Sequence, residues 1–177
     1  MKTETDIRDE VVVSVAHKML VAAKTAPKGK GVDNIVSAVL TGDEIKTVSD
    51  HLYKMEADGR APDYFARDAG NILHASALFI IGTKVETMGV SPCGNCGFAN
   101  CAEKSKHPDT PCSFNTGDLG IAMGSAVSVA IDNRIDNRVM YTVGIAAREM
   151  GLLGDDVKVI YGIPLASASK NPFFDRK

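Results

Sequence analysis

No apolar run in the sequence approaches the ~20 residues that a helix needs to span a bilayer. The longest run covers residues 76–82 and has the length of a buried strand. The chain also starts with a polar and acidic stretch, MKTETDIRDE, which lacks the apolar core of a secretory signal. The sequence therefore predicts a cytoplasmic protein that does not bind membranes.

An excess of charge of either sign is also missing. The chain has 20 basic and 22 acidic residues, mixed along its length, and a formal net charge of −2. Nucleic acids and anionic surfaces are normally bound through a basic patch, so we expect no nucleic-acid partner. Repeats, a P-loop and a Ser-His-Asp order are absent too, which leaves any catalytic residues unknown. With 45% hydrophobic content, the 177 residues predict a single domain over 1–177.

Cysteine is scarce, yet every cysteine of the chain lies in one short window of the sequence. The window, residues 89–116, holds three prolines, three glycines and few aliphatic side chains, so it cannot build a core of its own. In a reducing compartment, clustered thiols indicate metal ligands before they indicate disulfides. We therefore predict a cysteine-rich metal-binding insert over 89–116. Its ligands, spaced Cys-x2-Cys-x4-Cys-x10-Cys, are Cys93, Cys96, Cys101 and Cys112.

The spacing favours an iron–sulfur cluster over zinc. A [4Fe–4S] cluster takes four cysteine ligands and tolerates irregular spacing with one distant ligand. A zinc site with four cysteines normally has two short pairs, whereas this chain has only one. Disulfides or unrelated buried thiols are the third alternative. His107 lies in the same window but is surplus beside four cysteines, so we expect it at the surface.

Hydrophobic periodicity predicts five helices and three strands outside this window. The strands are predicted over residues 35–40, 77–82 and 157–163, and residues 166–177 show no periodicity. The helices are predicted over residues 9–24, with Asp9 as the cap, 41–58, 62–72, 119–131 and 139–150.

The helix predicted over 119–131 is apolar nearly all round, which indicates a buried central helix. Gly120, Gly124 and Ser128 recur every four residues and therefore share one face, where a second backbone can approach closely. A chain this short offers too little core to cover such a helix. We therefore predict a homodimer in which this helix is buried.

Two sets of segments resemble known families. Residues 91–98 (SPCGNCGF) with 101–104 (CAEK) resemble a prokaryotic family of small proteins that contain a ferredoxin domain. The surroundings resemble the nitroreductase fold. The matching segments are residues 22–28 (AAKTAPK), 69–82, 118–130, 152–159 and 162–165. The resemblance implies an α+β, three-layer nitroreductase-like fold with a cysteine-rich insert, and a homodimer that holds flavin mononucleotide (FMN) at the subunit interface.

The residues that would bind the flavin phosphate depart from that pattern. The Arg-Arg-Ser-type motif expected before the first helix is absent, and only Ile7-Arg8-Asp9 lies there. Lys24, Lys28 and Arg176 are the cations that could replace it. Because lysine presents a point charge and not a bidentate fork, the resemblance supports the fold more than it supports FMN binding.

Three functions remain open at this stage. The first is an iron–sulfur redox or electron-transfer protein with one [4Fe–4S] cluster and an unidentified redox partner. The second is a flavin-dependent oxidoreductase in which the cluster is auxiliary. The third is a non-catalytic scaffold in which zinc holds the insert together. The four-cysteine window favours the first.

Overall fold

The structure of the protein, a computed structural model, describes residues 1–174. A short 3₁₀ turn at Gly29–Gly31 precedes the first strand. Another, at Pro172–Phe174, ends the described part of the chain. No helix within residues 1–174 has the length and apolarity needed to cross a membrane. The elements in chain order are α1 (Glu4–Thr25), β1 (Ile35–Leu40), α2 (Asp43–Ala57), α3 (Tyr64–Ile72), β2 (Ala77–Lys84), α4 (Cys101–Lys104), α5 (Ser113–Asp132), β3 (Asp136–Asn137), α6 (Tyr141–Glu149) and β4 (Val157–Ala166).

The centre of the fold is a four-stranded antiparallel sheet with the strand order β1-β2-β4-β3. β2 lies between β1 and β4, and its residues from Ala77 to Thr83 are all buried. This strand is apolar without alternation because helices cover both faces of the sheet, as the continuous run in the sequence predicts.

Alternate side chains of β2 enter two separate cores, which creates three layers. Leu78 and Ile80 pack in a core with α2, α3 and α6. Phe79 and Ile81 pack in the other core, with α1 and α5. The predicted three-layer α+β arrangement is confirmed by these two cores.

The predicted start of α1 at Asp9 is wrong. The helix begins at Glu4, because Asp6 accepts hydrogen bonds from both the backbone N–H and the hydroxyl of Thr3, each at 2.7 Å. This capping arrangement satisfies the free N–H groups of the first turn one and a half turns earlier than predicted. The apolar face of α1, which includes Val12 and Met19, is buried as predicted.

The prediction for the central helix needs one correction. α5 begins at Ser113 and not at residue 119, so its first turn belongs to the window that holds the cysteines. As expected for a chain this short, one protomer does not cover the helix on all sides. Its face towards α1 and the sheet is covered, whereas Ile121 and Ile131 are 50% and 54% exposed. A Cβ atom added at Gly120 or Gly124 would meet nothing within 4 Å.

Candidate metal centre

The cysteine-rich segment, residues 89–116, runs from the end of β2 to the first turn of α5. It contains only one helical turn of its own, α4, and otherwise follows an irregular path. Gly89 and Gly97 have φ angles of +65° and +86°, which favour glycine, and the Ser91-Pro92 peptide is cis. Lys30 ties the start of the segment to the loop after α1, since its Nζ donates to the carbonyl of Met88 at 3.1 Å.

All four cysteines are free thiols. Cys93, Cys96 and Cys101 are half-buried, whereas Cys112 is 5% exposed and caps the N-terminus of α5. Cys101 opens α4, and its Sγ donates to the carbonyl of Val90 at 3.5 Å. The fold thus fixes one thiol on α4 and one on α5, and it holds the other two on the loop before α4.

The four sulfur atoms are not gathered around one point. Within residues 1–174, no group of three or more cysteine, histidine or carboxylate side chains is placed to hold a metal ion. Cys93 and Cys101 line one cavity of about 340 Å³, and neither Cys96 nor Cys112 lines it. The four-cysteine ligand set therefore stays a prediction.

The chemistry of the segment nevertheless fits an iron–sulfur group. Four free thiols supply the number and type of ligands that a [4Fe–4S] cluster takes. Three residues after Cys112 lies Asn115, whose Nδ2 is a buried donor with no hydrogen-bond acceptor in the described part of the chain. Lys104 is also buried, at 2% exposure. Neither residue was predicted from the sequence, although each follows a cysteine by three positions.

His107 is engaged outside any metal site. Its ring stacks on that of Phe98, with the ring centroids 4.9 Å apart and an interplanar angle of 22°. The stacking links the loop before α4 to the loop after it. It gives His107 a packing role, and the residue is exposed, as predicted.

Two of the three predicted phosphate-binding cations lie near Asp33. Lys24 is exposed, and its Nζ lies 2.6 Å from a carboxylate oxygen of Asp33. Burial alone would raise the pKa of Asp33, but the hydrogen bond from Lys24 and the charge of Lys28 hold it below the ordinary 3.8. The third cation, Arg176, lies outside the described residues.

Lys28 closes the C-terminus of α1. Its side chain is 5% exposed, and its ammonium group donates to the carbonyls of Ala23, Lys24 and Ala26 at 2.9, 2.7 and 2.9 Å. These groups lie at the negative end of the helix dipole, where a cation is stabilising. An ammonium with three carbonyl partners has little capacity left for a phosphate, so the geometry favours a structural role for Lys28.

A second cavity, of about 330 Å³, lies between the loop after α1 and the start of α5. Gly29, Asn95, Phe114 and Asp118 are among its lining residues. The backbone N–H of Gly29 donates to both carboxylate oxygens of Asp118, at 3.1 and 3.0 Å. A carboxylate already occupies this N–H group, and its negative charge opposes a phosphate at the same place.

Comparison with solved structures identifies the fold. A nitroreductase family protein from Clostridium novyi NT superposes with a TM-score of 0.59 at 17% identity, over 86% of this chain and 73% of that one. A nitroreductase with bound FMN from Bacteroides fragilis NCTC 9343 superposes with a TM-score of 0.60 at 12% identity, over 93% and 81%. The chain therefore has the nitroreductase fold, as predicted. Identities this low carry the fold alone.

Sequence comparison identifies the family. Residues 108–176 match a family model described as "Uncharacterized protein containing a ferredoxin domain (DUF2148)". An uncharacterized protein from Archaeoglobus fulgidus is 39% identical over 181 residues, which cover 98% of this chain and 96% of the relative. Because that similarity spans both chains almost completely, this protein belongs to the family of uncharacterized proteins containing a ferredoxin domain.

Proposed function

We propose that this protein is a cytoplasmic electron-transfer protein that binds one [4Fe–4S] cluster through Cys93, Cys96, Cys101 and Cys112. The observation that carries the proposal is that all the cysteines of the chain are free thiols on one short segment between β2 and α5. The description of the family as containing a ferredoxin domain supports it. Binding requires the four sulfur atoms to converge from their present positions.

The exposure of the thiols supports exchange of electrons with a partner. Three of the four cysteines are half-buried, so a cluster held by them would lie close to the protein surface. Exposure and hydrogen bonds to sulfur are the features by which a protein sets a cluster's potential. A surface-near cluster on a rigid fold suits one-electron exchange with a second protein or a small redox carrier.

The test is purification without oxygen, followed by quantitation of iron, acid-labile sulfide and zinc and by a visible spectrum. We expect a brown protein with near four irons and four sulfides per chain. Stoichiometric zinc without visible absorbance would instead favour a non-catalytic scaffold in which zinc holds the cysteine-rich segment together.

Cys112→Ser separates the ligand role of this cysteine from its role in the fold. Cys112 is the N-cap of α5, and serine is among the preferred N-cap residues, so the substitution keeps the helix. We expect a folded protein by circular dichroism whose iron is lost faster on exposure to a chelator. Ser113→Ala, one residue later, is the matched control and should retain its iron. Loss of all secondary structure in Cys112→Ser would mean that the metal folds the whole chain.

A second candidate function is a flavin-dependent oxidoreductase with the cluster as an auxiliary centre. The nitroreductase fold favours it, since one structure of that fold was solved with bound FMN. The contacts of Lys28 and Asp118 oppose it. The ammonium group of Lys28 already donates to a carbonyl of α1, and the backbone N–H of Gly29 already donates to the carboxylate of Asp118. Titration of the cluster-loaded protein with FMN, followed by flavin fluorescence, distinguishes the two functions. We expect no saturable binding at micromolar concentration, and saturable binding would favour the enzyme.

We further propose a homodimer formed through the exposed face of α5. Gly120 and Gly124 face open space, and Ile121 and Ile131 beside them are half exposed, so this face is apolar and allows close approach. A Cβ atom at Gly124 would meet nothing within 4 Å and leucine raises helix propensity, so Gly124→Leu should leave the protomer folded while blocking the dimer. Light scattering should give a dimer for the unmodified protein and for Ser128→Ala, and a monomer for Gly124→Leu. A monomeric unmodified protein at micromolar concentration would contradict the dimer.

A further inference from the structure

A cavity of about 190 Å³ lies between α6 and the start of β4, and no cysteine lines it. Tyr141, Gly144 and Arg148 line it from α6, and their spacing of three and four residues places them on one side of the helix. Lys158 and Tyr161 are among the lining residues from β4. Sites for drug-sized ligands measure about 300–1,000 Å³, so this cavity suits a small molecule.

The cavity exists because β3 covers only one end of β4. The bridge between Met140 and Gly162 is the last pairing on that side, and within residues 1–174 no strand lies beside the earlier part of β4 there. Gly162 exchanges backbone hydrogen bonds with Met140 at 2.8 and 3.0 Å, so strand alternation turns the N–H of Ile160 to the same side. This N–H is therefore a backbone donor without a strand partner, and Ile160 lines the cavity.

The charged side chains that line the cavity are both cations. They are Arg148 and Lys158, and no aspartate or glutamate is among the lining residues. The guanidinium of Arg148 donates to the carbonyl of Lys158 at 3.5 Å, which places the two residues side by side. Within residues 1–174 neither cation forms an ion pair, and Asp156, two residues before Lys158, binds Lys84 at 2.7 Å instead. A cleft lined by charge of one sign attracts a counter-ion, so this cavity favours an anion.

The same two cations line a neighbouring cavity of about 530 Å³, which Asp109 and Asp155 also line. Both carboxylates repel an anion, so an anion is favoured on the side of Tyr141, where no carboxylate lies. Asp109 belongs to the cysteine-rich segment, residues 89–116. The anion would therefore be bound next to that segment, at a place that uses none of its cysteines.

We infer that Arg148 and Lys158 bind the phosphate group of a small phosphate monoester. Such a group carries a charge of about −1.5 to −2 at pH 7, which matches two cations, whereas a carboxylate would leave one of them unpaired. The planar guanidinium donates two parallel hydrogen bonds to phosphate oxygens, and the ammonium adds a point charge. The rings of Tyr141 and Tyr161 offer apolar surface to the organic part of the ligand. The inference does not rest on the proposed [4Fe–4S] function.

Isothermal titration calorimetry of the full chain, purified without oxygen, tests the inference with inorganic phosphate, phenyl phosphate and benzoate as probes. We expect saturable binding of phenyl phosphate at millimolar concentration or below, weaker binding of inorganic phosphate, which lacks the ring, and the weakest binding of benzoate, which has a single charge. Arg148→Gln and Lys158→Gln should each weaken the binding of phenyl phosphate about tenfold or more, because each loses a charged hydrogen bond to the phosphate. Both side chains are exposed, so the fold should survive these changes.

Lys18→Gln is the matched control, because it removes the same charge from an exposed position on α1. It should leave the affinity for phenyl phosphate within a factor of two. Absence of saturable binding by both phosphates at millimolar concentration overturns the inference, and so does binding that Arg148→Gln and Lys158→Gln leave unchanged. Tighter binding of inorganic phosphate or of benzoate than of phenyl phosphate overturns the phosphate monoester as the ligand.

Discussion

Replacing Lys28 with methionine distinguishes a structural lysine from a flavin-binding one. The Lys28 side chain is only 5% exposed. Methionine keeps most of its buried aliphatic stem and removes only the ammonium group. That group donates to the carbonyls of Ala23, Lys24 and Ala26, which lie at the end of α1. No backbone N–H from further along the helix donates to these carbonyls, because α1 ends at Thr25.

The expected loss follows from these contacts. A hydrogen bond to a charged group contributes about 1.5–3 kcal/mol, and a partly buried cation at a helix C-terminus up to about 2 kcal/mol. One ammonium cannot contribute three full bonds, and burying it costs solvation, so we expect a net loss of about 2–3 kcal/mol. For a chain of this length, that corresponds to a fall in Tm of about 5–10 °C.

Thermal and urea unfolding, followed by circular dichroism, measure this change. Lys24→Met is the matched control, because Lys24 is 74% exposed and its ion pair with Asp33 is at the surface. Such a pair is worth about 0–1 kcal/mol, so the control should unfold close to the unmodified protein. Equal stability of Lys28→Met and the unmodified protein, together with loss of FMN binding, would refute the structural role.

Two further predictions concern packing and pH. Gly144→Ala should destabilise the protein by about 3 kcal/mol or more in urea unfolding, because the new Cβ would lie 1.8 Å from the carbonyl oxygen of Ile160; unchanged stability would show that α6 can move off β4. A hydrogen bond from Arg60 holds the pKa of Glu149 below its ordinary 4.5, against the opposing effect of burial. The stability from this pair is therefore fully present above pH 4.5 and is lost as the pH falls through the lowered pKa of the folded state. Arg60→Gln should be less stable at neutral pH, and denaturation at a series of pH values should show the difference shrinking in acid; a constant difference would contradict this reading.

The three predicted strands were located well because their signals are local, whereas the two-residue strand β3 was not predicted. The six residues of β1, Ile35–Leu40, match the predicted range, and β2 extends its predicted range only to Lys84. Helix starts were predicted less well, since they depend on side chains that satisfy free N–H groups. Asp6 does so for α1, and its position in a polar stretch hid the signal. The pattern Thr3-x-x-Asp6 resembles a capping box and could have revealed it.

The start of α5 was missed for a different reason. Its first two turns contain buried polar residues, among them Asn115 and Asp118, which sequence periodicity counts as surface. Each is buried because a partner from another part of the chain reaches it: the N–H of Glu86 for Asn115 and the N–H of Gly29 for Asp118. Such partners come from tertiary structure, so no local pattern predicts them.

The candidate site, too, could be predicted only in part. The spacing of the cysteines and the proline and glycine content of residues 89–116 marked the segment from the sequence alone. The burial of Lys104 and the unused donor of Asn115 emerge only once the chain is folded. The engagement of Lys28 by the end of α1 likewise needed the structure, because a lysine in a glycine-rich loop looks free in a sequence.

Native mass spectrometry of the protein purified without oxygen tests the central claim most directly, because it weighs the bound group together with the chain. We predict a mass above that of the polypeptide by four irons and four sulfides per chain, which is lost in Cys112→Ser and retained in Ser113→Ala. A mass increase of a single zinc ion per chain, or the bare polypeptide, would contradict the proposal that this protein carries a [4Fe–4S] cluster.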